Sequence, residues 1–442
     1  MKNVVLGIQH LLAMYAGAIL VPLIVGQSIG LTSTQLTYLV SIDILMCGVA
    51  TILQIMSNRF FGIGLPVVLG CTFTAVGPMI SIGDQYGISA IYGSVIASGL
   101  IIVVISVFFG KLIKFFPPIV TGSVVTIIGI TLIPVALNNM AGGQGAADFG
   151  SNVNVLLSFG TLLFIILLYR FSEGFLRSIS ILLGIVVGTV AAMMLGVVDF
   201  SAVKEADALQ IVTPFYLGTP TFHFYPILMM TLVAMVSLVE STGVYFALGD
   251  ICEKDLKEKD LAKGYRAEGL ASFIGGIFNA FPYTTFSQNV GLTQMSGVKS
   301  RKVIMITAIM LVSLGFMPKI AAMATVIPTS VLGGAMVAMF GMVVSQGIKM
   351  LSKVIGDSQE NAMIVACSIG LGLGVSVVPD IFAHLPANFQ ILTSNGIVAG
   401  SLTAITLNIV FNMLPSKKRK KASIQTSEQK TEKAVHLTEQ EA

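Results

Sequence analysis

The sequence predicts an all-α polytopic membrane protein of about 14 transmembrane segments arranged as two inverted seven-segment repeats. Composition is the first reason: of 442 residues, 55% are hydrophobic and 10% charged, with 45 glycines and a mean hydropathy of +0.90, far from the balance of a soluble domain. The second is that apolar runs long enough to cross a hydrocarbon core of about 30 Å recur along the whole chain, divided by short polar or Gly/Pro turns. The third is the placement of Lys and Arg, which collect in alternate loops.

In chain order the segments are predicted at Val4–Gly26, Leu36–Met56, Gly64–Ile80, Ile88–Gly110, Pro117–Leu137, Val153–Tyr169, Ile179–Val198 and Pro226–Leu248. They continue with Ala267–Phe281, Thr285–Gly297, Val303–Met323, Thr329–Gly347, Ala362–Val378 and Ile391–Leu414. Gly64–Ile80, Ala267–Phe281 and Thr285–Gly297 are short or broken by Gly, Pro and polar residues. A lipid-facing helix would not tolerate such interruptions, whereas a cavity-lining segment can.

Charge supports the count. Arg59, Lys111 with Lys114, Arg170 with Arg177, the mixed run Asp250–Arg266, Lys299–Lys302, and Lys349 with Lys353 fall on one side. The opposite loops carry Asp84 and Asp148, with Lys204 and Lys319 as lone exceptions. Both termini are therefore expected in the cytoplasm of a multi-pass protein of the cell membrane, which requires an even number of spans. The first run follows Lys2 but is too long for a signal peptide, contains Gln9 and His10, and lacks an Ala-x-Ala site, so it is expected to be retained. Cys47, Cys71, Cys252 and Cys367 have no paired spacing, which argues against disulfides and against a metal site. From Ser416 the chain carries Lys417, Lys418, Arg419, Lys420 and Lys421, then Gln, Glu, Ser and Lys; residues 416–442 are expected to form a disordered cytoplasmic tail touching anionic lipid.

A trace of internal repeat links the halves. Pro117 is followed by Gly122 and Gly129, and Pro328 by Gly334 and Gly341, with the same seven-residue glycine spacing. Segments five and twelve then correspond, and an odd-numbered repeat must insert in opposite orientations. Segment three pairs with segment ten under the same symmetry, and both are interrupted, at Leu65–Phe73 and at Pro282–Gln288. Paired interrupted segments point to a midplane binding site. The second contains adjacent amides, Gln288 and Asn289, whose paired donors and acceptors would suit the edge of a flat heterocycle.

The runs GIQHLLAMYAG at Gly7–Gly17, SLVESTG around Glu240, RAEGL around Glu268 and SQNVGLTQMSG from Ser287 resemble the nucleobase–ascorbate transporter family, the xanthine and uracil permeases, and within it the bacterial xanthine permeases. The resemblance extends to about Leu414; the signature is met by Gln288, Asn289, Gly291 and Gly297, with Ser296 where the family usually has Thr. It implies a core domain (residues 1–110 and 223–325), a gate domain (111–222 and 326–415), short strands in segments three and ten, and a homodimer formed through the gate. It further implies that Glu240 and Gln288 bind the base, that Phe73 stacks on it, and that Ser287, Asn289, Gly17 and Thr72 complete the site. Glutamine at 288 resembles xanthine and urate transporters more than uracil permeases, and Val244 departs from relatives with a polar residue there.

The residues carry their own chemistry. Glu240 lies mid-span among apolar neighbours, where an unpaired carboxylate is expensive; it can accept a purine N–H or hold the coupling proton. Glu268 is a second candidate proton site, with an ion pair to Arg266 as its alternative role. His10 could shuttle a proton or hold the core helices in register, and Asp43 is expected to make a structural hydrogen bond. The expected function is import of xanthine or a related oxidised purine by proton symport, with core and gate rocking in an elevator-like alternating access, no cofactor, no nucleic-acid partner and no metal. The alternatives are a uracil or urate permease of the same family, or an anion transporter on the same fold; the latter would want a positive site, and the embedded charges near the motif are acidic. No phosphate loop GxxxxGK[ST] and no nucleophile or metal-ligand spacing supports an ATP-driven pump or a membrane enzyme, and Gly370, Gly372 and Gly374 read as packing glycines.

Overall fold

A computed structural model describes residues 2–112, 115–386, 390, 393 and 395–414. Lys114 and the basic tail from Ser416 lie outside the described residues, as does the side chain of Lys111. The first half of the chain builds α1 (Lys2–Ser28), α2 (Ser33–Ile55), β1 (Leu69–Cys71), a 3-10 turn Phe73–Ala75, α3 (Val76–Tyr86), α4 (Ile88–Leu112), α5 (Pro118–Met140), α6 (Asn152–Phe171), α7 (Gly174–Ser178), α8 (Ser180–Met194) and α9 (Ser201–Glu205). The second half builds α10 (Phe224–Ile251), α11 (Glu258–Ile277), β2 (Tyr283–Thr285), α12 (Ser287–Ser296), α13 (Arg301–Gly315), α14 (Pro318–Thr325), α15 (Thr329–Leu351), α16 (Gln359–Val377) and α17 (Gly396–Asn408).

Among the described residues nine helices are long and apolar enough to cross a membrane unaided. The predicted segments beyond these are accounted for by shape. Segment eleven is the pair α13 and α14, bent by 82° at Phe316–Met317 ahead of Pro318, because proline supplies no N–H to continue the first helix. Segment seven is the short apolar α8. Segments three and ten each contain the short strand that the resemblance implies, followed by a helix of 11 residues (after a 3-10 turn) and of 10 residues respectively.

Several boundaries differ from the sequence reading; α3 runs on to Tyr86 where Ile80 was expected, and β2 begins at Tyr283, ahead of the expected Thr285. Segment nine begins at Glu258 rather than Ala267, so much of the run Asp250–Arg266 is helix and not loop. Glu258 and Asp260 sit in the first turn of α11, where carboxylates complement the helix dipole and where the helix emerges from hydrocarbon; a hydropathy reading stops at the first charges. Segment fourteen begins at Gly396, capped by Asn395 Oδ1 accepting from the N–H groups of Ile397 and Val398; the expected residues 391, 392 and 394 lie outside the described residues.

The helices pack in two groups. In the first, α4 lies along α11 and α10, α2 along α13 and α11, and α1 against α2 and α13. In the second, α5 lies along α15, with α6, α16 and α17 against this pair and α8 against α6 and α15. The groups meet where α10 touches α5 and α17, α1 touches α8, and α12 touches α7. The helices α5 and α15, which carry the repeated Pro-Gly-Gly pattern, are thus each other's main partner.

The expectation for α16 is only partly met. A Cβ at Gly372 would sit 2.9 Å from Ile127 Cγ2 and 3.0 Å from the Gly396 carbonyl oxygen, whereas one at Gly370 or Gly374 would meet nothing within 4 Å. Only Gly372 is a packing glycine, because the three positions alternate round the helix and one alone faces α5 and α17. Gly372→Val should therefore cost about 1–3 kcal/mol by overpacking while Gly370→Val changes stability by less than about 0.5 kcal/mol, read as thermal unfolding midpoints of the purified chain.

Candidate substrate site

The site is built where the two broken segments cross. β1 and β2 pair antiparallel, with Leu69 opposite Thr285, Gly70 opposite Thr284 and Cys71 opposite Tyr283. Backbone bonds extend the pairing on either side, Thr72 N–H to the Pro282 carbonyl (3.0 Å) and Phe286 N–H to the Val68 carbonyl (2.9 Å). Each strand runs on into a helix, so α3 and α12 leave the crossing from opposite ends. The positive dipole end of each helix lies next to its strand. Ahead of α3 the N–H groups of Thr74 and Val76 are taken up by Thr72 Oγ1 and the Phe73 carbonyl, and at α12 the Asn289 N–H bonds the Phe286 carbonyl, while Ser287 and Gln288 stay exposed.

A two-stranded ribbon has two edges, and within a membrane no water completes them. Side-chain hydroxyls do so here. On α2, Thr51 Oγ1 accepts from Leu69 N–H (3.0 Å). On α11, Ser272 Oγ accepts from Tyr283 N–H (3.4 Å), and on α10 Ser241 Oγ accepts from Thr285 N–H (3.3 Å).

Ser241 has a second task. Its hydroxyl donates to Glu268 Oε2 (3.0 Å) and lies 3.0 Å from Thr284 Oγ1. Oε1 of Glu268 accepts from the Tyr245 hydroxyl, which in turn accepts from Gln54 Nε2. The carboxyl is therefore buried and fully engaged, and Arg266 is not its partner. The Arg266 Nε donates instead to Ser106 Oγ on α4 (3.1 Å), since residues two apart on a helix point to different sides. Beside Glu268 a cavity of about 20 Å³ is lined by Thr72, Ser98, Ser237 and Ser272 among others, space for a single water with several polar partners.

Glu240 precedes Ser241 and so projects from a different side of α10. It is partly exposed, and its carboxylate has no hydrogen bond and no ion pair among the described residues. The helix carrying it packs against β2, α12 and the 3-10 turn at Phe73. Ser287 and Gln288, in the first turn of α12, are exposed. Phe73 is half-buried, its ring edge-on to Phe340 of α15 at 5.9 Å between centroids. Glu240, Phe73, Ser287 and Gln288 are thus the candidate residues left open, three of them polar.

The others are placed differently. Asn289 is buried, its Nδ2 donating to the His10 carbonyl (2.9 Å) and lying 3.1 Å from His10 Nδ1. The two adjacent amides therefore diverge by the 100° step of a helix and do not form one continuous edge. His10 and Asn289 tie α1 to α12. Thr72 is buried, capping the 3-10 turn by accepting from Thr74 N–H (3.3 Å) and meeting Ser237 Oγ at 3.3 Å. Asp43 makes the structural bond expected of it, accepting from Phe281 N–H (2.8 Å), with the Tyr283 hydroxyl at 3.4 Å.

Gly17 and Gly70 make room for the Phe286 ring. A Cβ at Gly17 would lie 2.6 Å from Phe286 Cε1, and one at Gly70 2.2 Å from Cε2. Phe286, Ser241, Tyr245, Gln54 and Thr51 were not singled out from the sequence. Ser241 carried a signal as the neighbour of Glu240, and Phe286 lies in the interrupted stretch Pro282–Gln288 though nothing marked its ring; Tyr245, Gln54 and Thr51 look like ordinary residues of apolar helices.

Fold and sequence together define a membrane transporter in which two discontinuous segments cross. The chain belongs to the permease family, whose model matches residues 1–381. It is 64% identical to a xanthine permease of Bacillus subtilis, over 97% of this chain and 98% of the relative. It is 64% identical to the nucleobase transporter PlUacP of Paenibacillus larvae, over 93% and 95%, and 63% identical to the uric acid permease PucK of B. subtilis, over 93% and 96%. In fold it is similar to the transmembrane domain of a cyanobacterial bicarbonate transporter, BicA, with a TM-score of 0.60 at 15% identity, covering 92% of this chain and 98% of that one. Murine Slc26a9, an anion transporter in an inward-facing state, gives 0.56 at 13% identity, covering 92% and 68%.

Gly70→Ala must displace the Phe286 ring or part the strands. A stability loss of about 1–3 kcal/mol is expected, together with loss of ligand binding. Thermal unfolding and a binding isotherm on the same preparation check it, and Phe286→Leu in the Gly70→Ala background should recover part of both.

Proposed function

We propose that this permease imports xanthine or a closely related oxidised purine by proton symport. The observation that carries the reading is the unpartnered, partly exposed Glu240 carboxylate on α10, a helix that packs against β2, α12 and the 3-10 turn at Phe73. A carboxylate accepts N–H groups, a neutral Gln288 amide both donates and accepts, and the first-turn N–H groups of α12 donate; together they match the alternating carbonyl and N–H edge of an oxidised purine. The half-buried Phe73 ring offers a face on which a base can stack. Xanthine and urate are the molecules in the names of close relatives, which supports this substrate class.

Glu268 is our candidate for the coupling proton, and Glu240 for base binding. Ser241 joins the two, since it bonds Glu268 while holding the β2 edge beside the base. Protonation at Glu268 would then change the support of β2, and purine and proton would bind cooperatively. His10 acts in this reading as a brace on α12 rather than a shuttle. For alternating access, the α1–α4 and α10–α14 group serves as core and the α5–α8 and α15–α17 group as gate, which rock past one another. In this reading the protein lies in the cell membrane with both termini on the cytoplasmic side, and it pairs as a homodimer through the gate, as the resemblance implies. The anion-transporter reading is weaker, because the embedded charges at the crossing are carboxyls.

Labelled xanthine uptake by cells expressing the chain should saturate and collapse when a protonophore is added. Uptake that ignores the protonophore but follows sodium would remove proton coupling. Glu268→Gln should keep xanthine binding within about threefold yet lose accumulation, while Glu240→Gln weakens binding by about ten- to hundred-fold. Normal accumulation by Glu268→Gln would leave that residue a purely structural carboxyl.

Selectivity is read at Gln288. A carboxylate there only accepts, so Gln288→Glu should face a purine carbonyl with an unsatisfied or repulsive pairing and lose about 1–3 kcal/mol, or about ten- to hundred-fold in affinity. Uracil, which lacks the imidazole ring that fixes how xanthine sits, can turn its imide N–H toward the carboxylate and should lose less. Competition binding with xanthine and uracil separates the cases; equal losses for both would mean that the base is read elsewhere.

A further inference from the structure

Away from the crossing, α6, α8 and α15, with Arg177 of the short α7, enclose a cavity of about 700 Å³. None of the elements that build the purine site lines it. The three helices are in tight contact toward one end. A Cβ at Gly334 of α15 would lie 2.3 Å from the Ser158 carbonyl oxygen of α6, and one at Gly188 of α8 would lie 2.3 Å from Thr161 Oγ1. Beyond these contacts the cavity opens, and its lining reaches Arg170 and Arg177.

The walls are apolar, with Leu162, Ile166, Val337 and Met342 among the lining residues. The rim is cationic. Arg177 lies over the Tyr169 ring at 4.0 Å, which fixes its direction. Neither guanidinium has a carboxylate within ion-pair distance among the described residues, where the ion pair found joins Lys299 to Glu253. Two uncompensated arginines above a deep hydrocarbon-lined cleft match one kind of molecule, with a negative head and apolar tails. Arg forks bind phosphate oxygens two at a time, and basic pockets between membrane helices on the cytoplasmic side take anionic headgroups.

We propose that the cleft between α6, α8 and α15 binds one anionic phospholipid, its phosphate held by Arg170 and Arg177 and an acyl chain lying along Leu162, Ile166 and Val337. The site sits within the helix group assigned as gate, so its occupant would brace the gate against the moving core. It holds whether or not the transported molecule is a purine.

The test uses the purified full-length chain with dioleoylphosphatidylglycerol, dioleoylphosphatidylcholine or inorganic phosphate, read by native mass spectrometry for retained lipid and by thermal midpoint. Wild type should retain one phosphatidylglycerol per chain with at least ~tenfold preference over phosphatidylcholine, and only phosphatidylglycerol should raise the midpoint. Arg170→Gln with Arg177→Gln should abolish the preference. Gly341→Leu should lower retention without altering charge, since a Cβ at Gly341 meets nothing within 4 Å and the new side chain fills the cleft. Equal retention of both lipids, variants that keep the wild-type preference, or inorganic phosphate reproducing the whole shift would each overturn the proposal. So would a change of oligomeric state in Gly341→Leu with lipid retention unchanged, which would make a second copy of the chain the occupant.

Discussion

The free edges of a two-stranded ribbon set in hydrocarbon are the constraint on which the rest of this structure depends. Strands in a membrane are tolerated only where their outward N–H and C=O groups find partners. Here Thr51, Ser272 and Ser241 supply hydroxyls from three separate helices to Leu69, Tyr283 and Thr285. Those three helices must therefore crowd round the crossing, which places α2, α10 and α11 in one group. The antiparallel pairing then sends α3 and α12 off in opposite directions, the local expression of two inverted halves.

The same constraint explains why chemistry collects at this point. A strand that gives way to a helix takes first-turn N–H groups out of the helical ladder, so they must find a cap or a ligand; Thr72 caps the turn before α3, while Ser287 and Gln288 at the start of α12 stay exposed. Ser241 satisfies β2 with one side of its oxygen and donates to Glu268 with its proton, so the acid proposed to carry the coupling ion and the segment proposed to hold the base share a single hydroxyl. Tyr245 and Gln54 extend that link to α2. A change at the carboxyl has a short bonded route to the strand, without any need for a long-range pathway.

Much of this was legible in the chain. The number of segments, the two interrupted ones and their pairing followed from hydropathy, Gly/Pro placement and the alternation of Lys and Arg, because those features are imposed by the bilayer itself. What was not legible depends on which neighbour a side chain meets. Nothing in the local sequence says that Gly17 and Gly70 exist to admit Phe286, from the opposite half of the chain. The adjacent amides Gln288 and Asn289 suggested one recognition edge, yet a helix starting at Ser287 turns them apart and gives Asn289 to His10. The charges of Glu258–Arg266 marked the end of hydrocarbon but not the end of helix, and the three glycines of α16 could not be ranked until their neighbours were known.

Thr51 offers the most direct test of the edge constraint, because its hydroxyl serves β1 alone, accepting from Leu69 N–H at 3.0 Å with the Leu69 carbonyl at 3.5 Å. Valine keeps the shape and removes the oxygen; serine keeps the oxygen. Xanthine binding and thermal unfolding should be measured on Thr51→Val and Thr51→Ser together. With the edge unsatisfied, Thr51→Val should lose about 1–3 kcal/mol of stability and most of its xanthine binding, while Thr51→Ser stays near wild type. Wild-type stability and affinity in Thr51→Val would contradict the account, since the ribbon would then stand in the membrane without the hydroxyls that are held to sustain it.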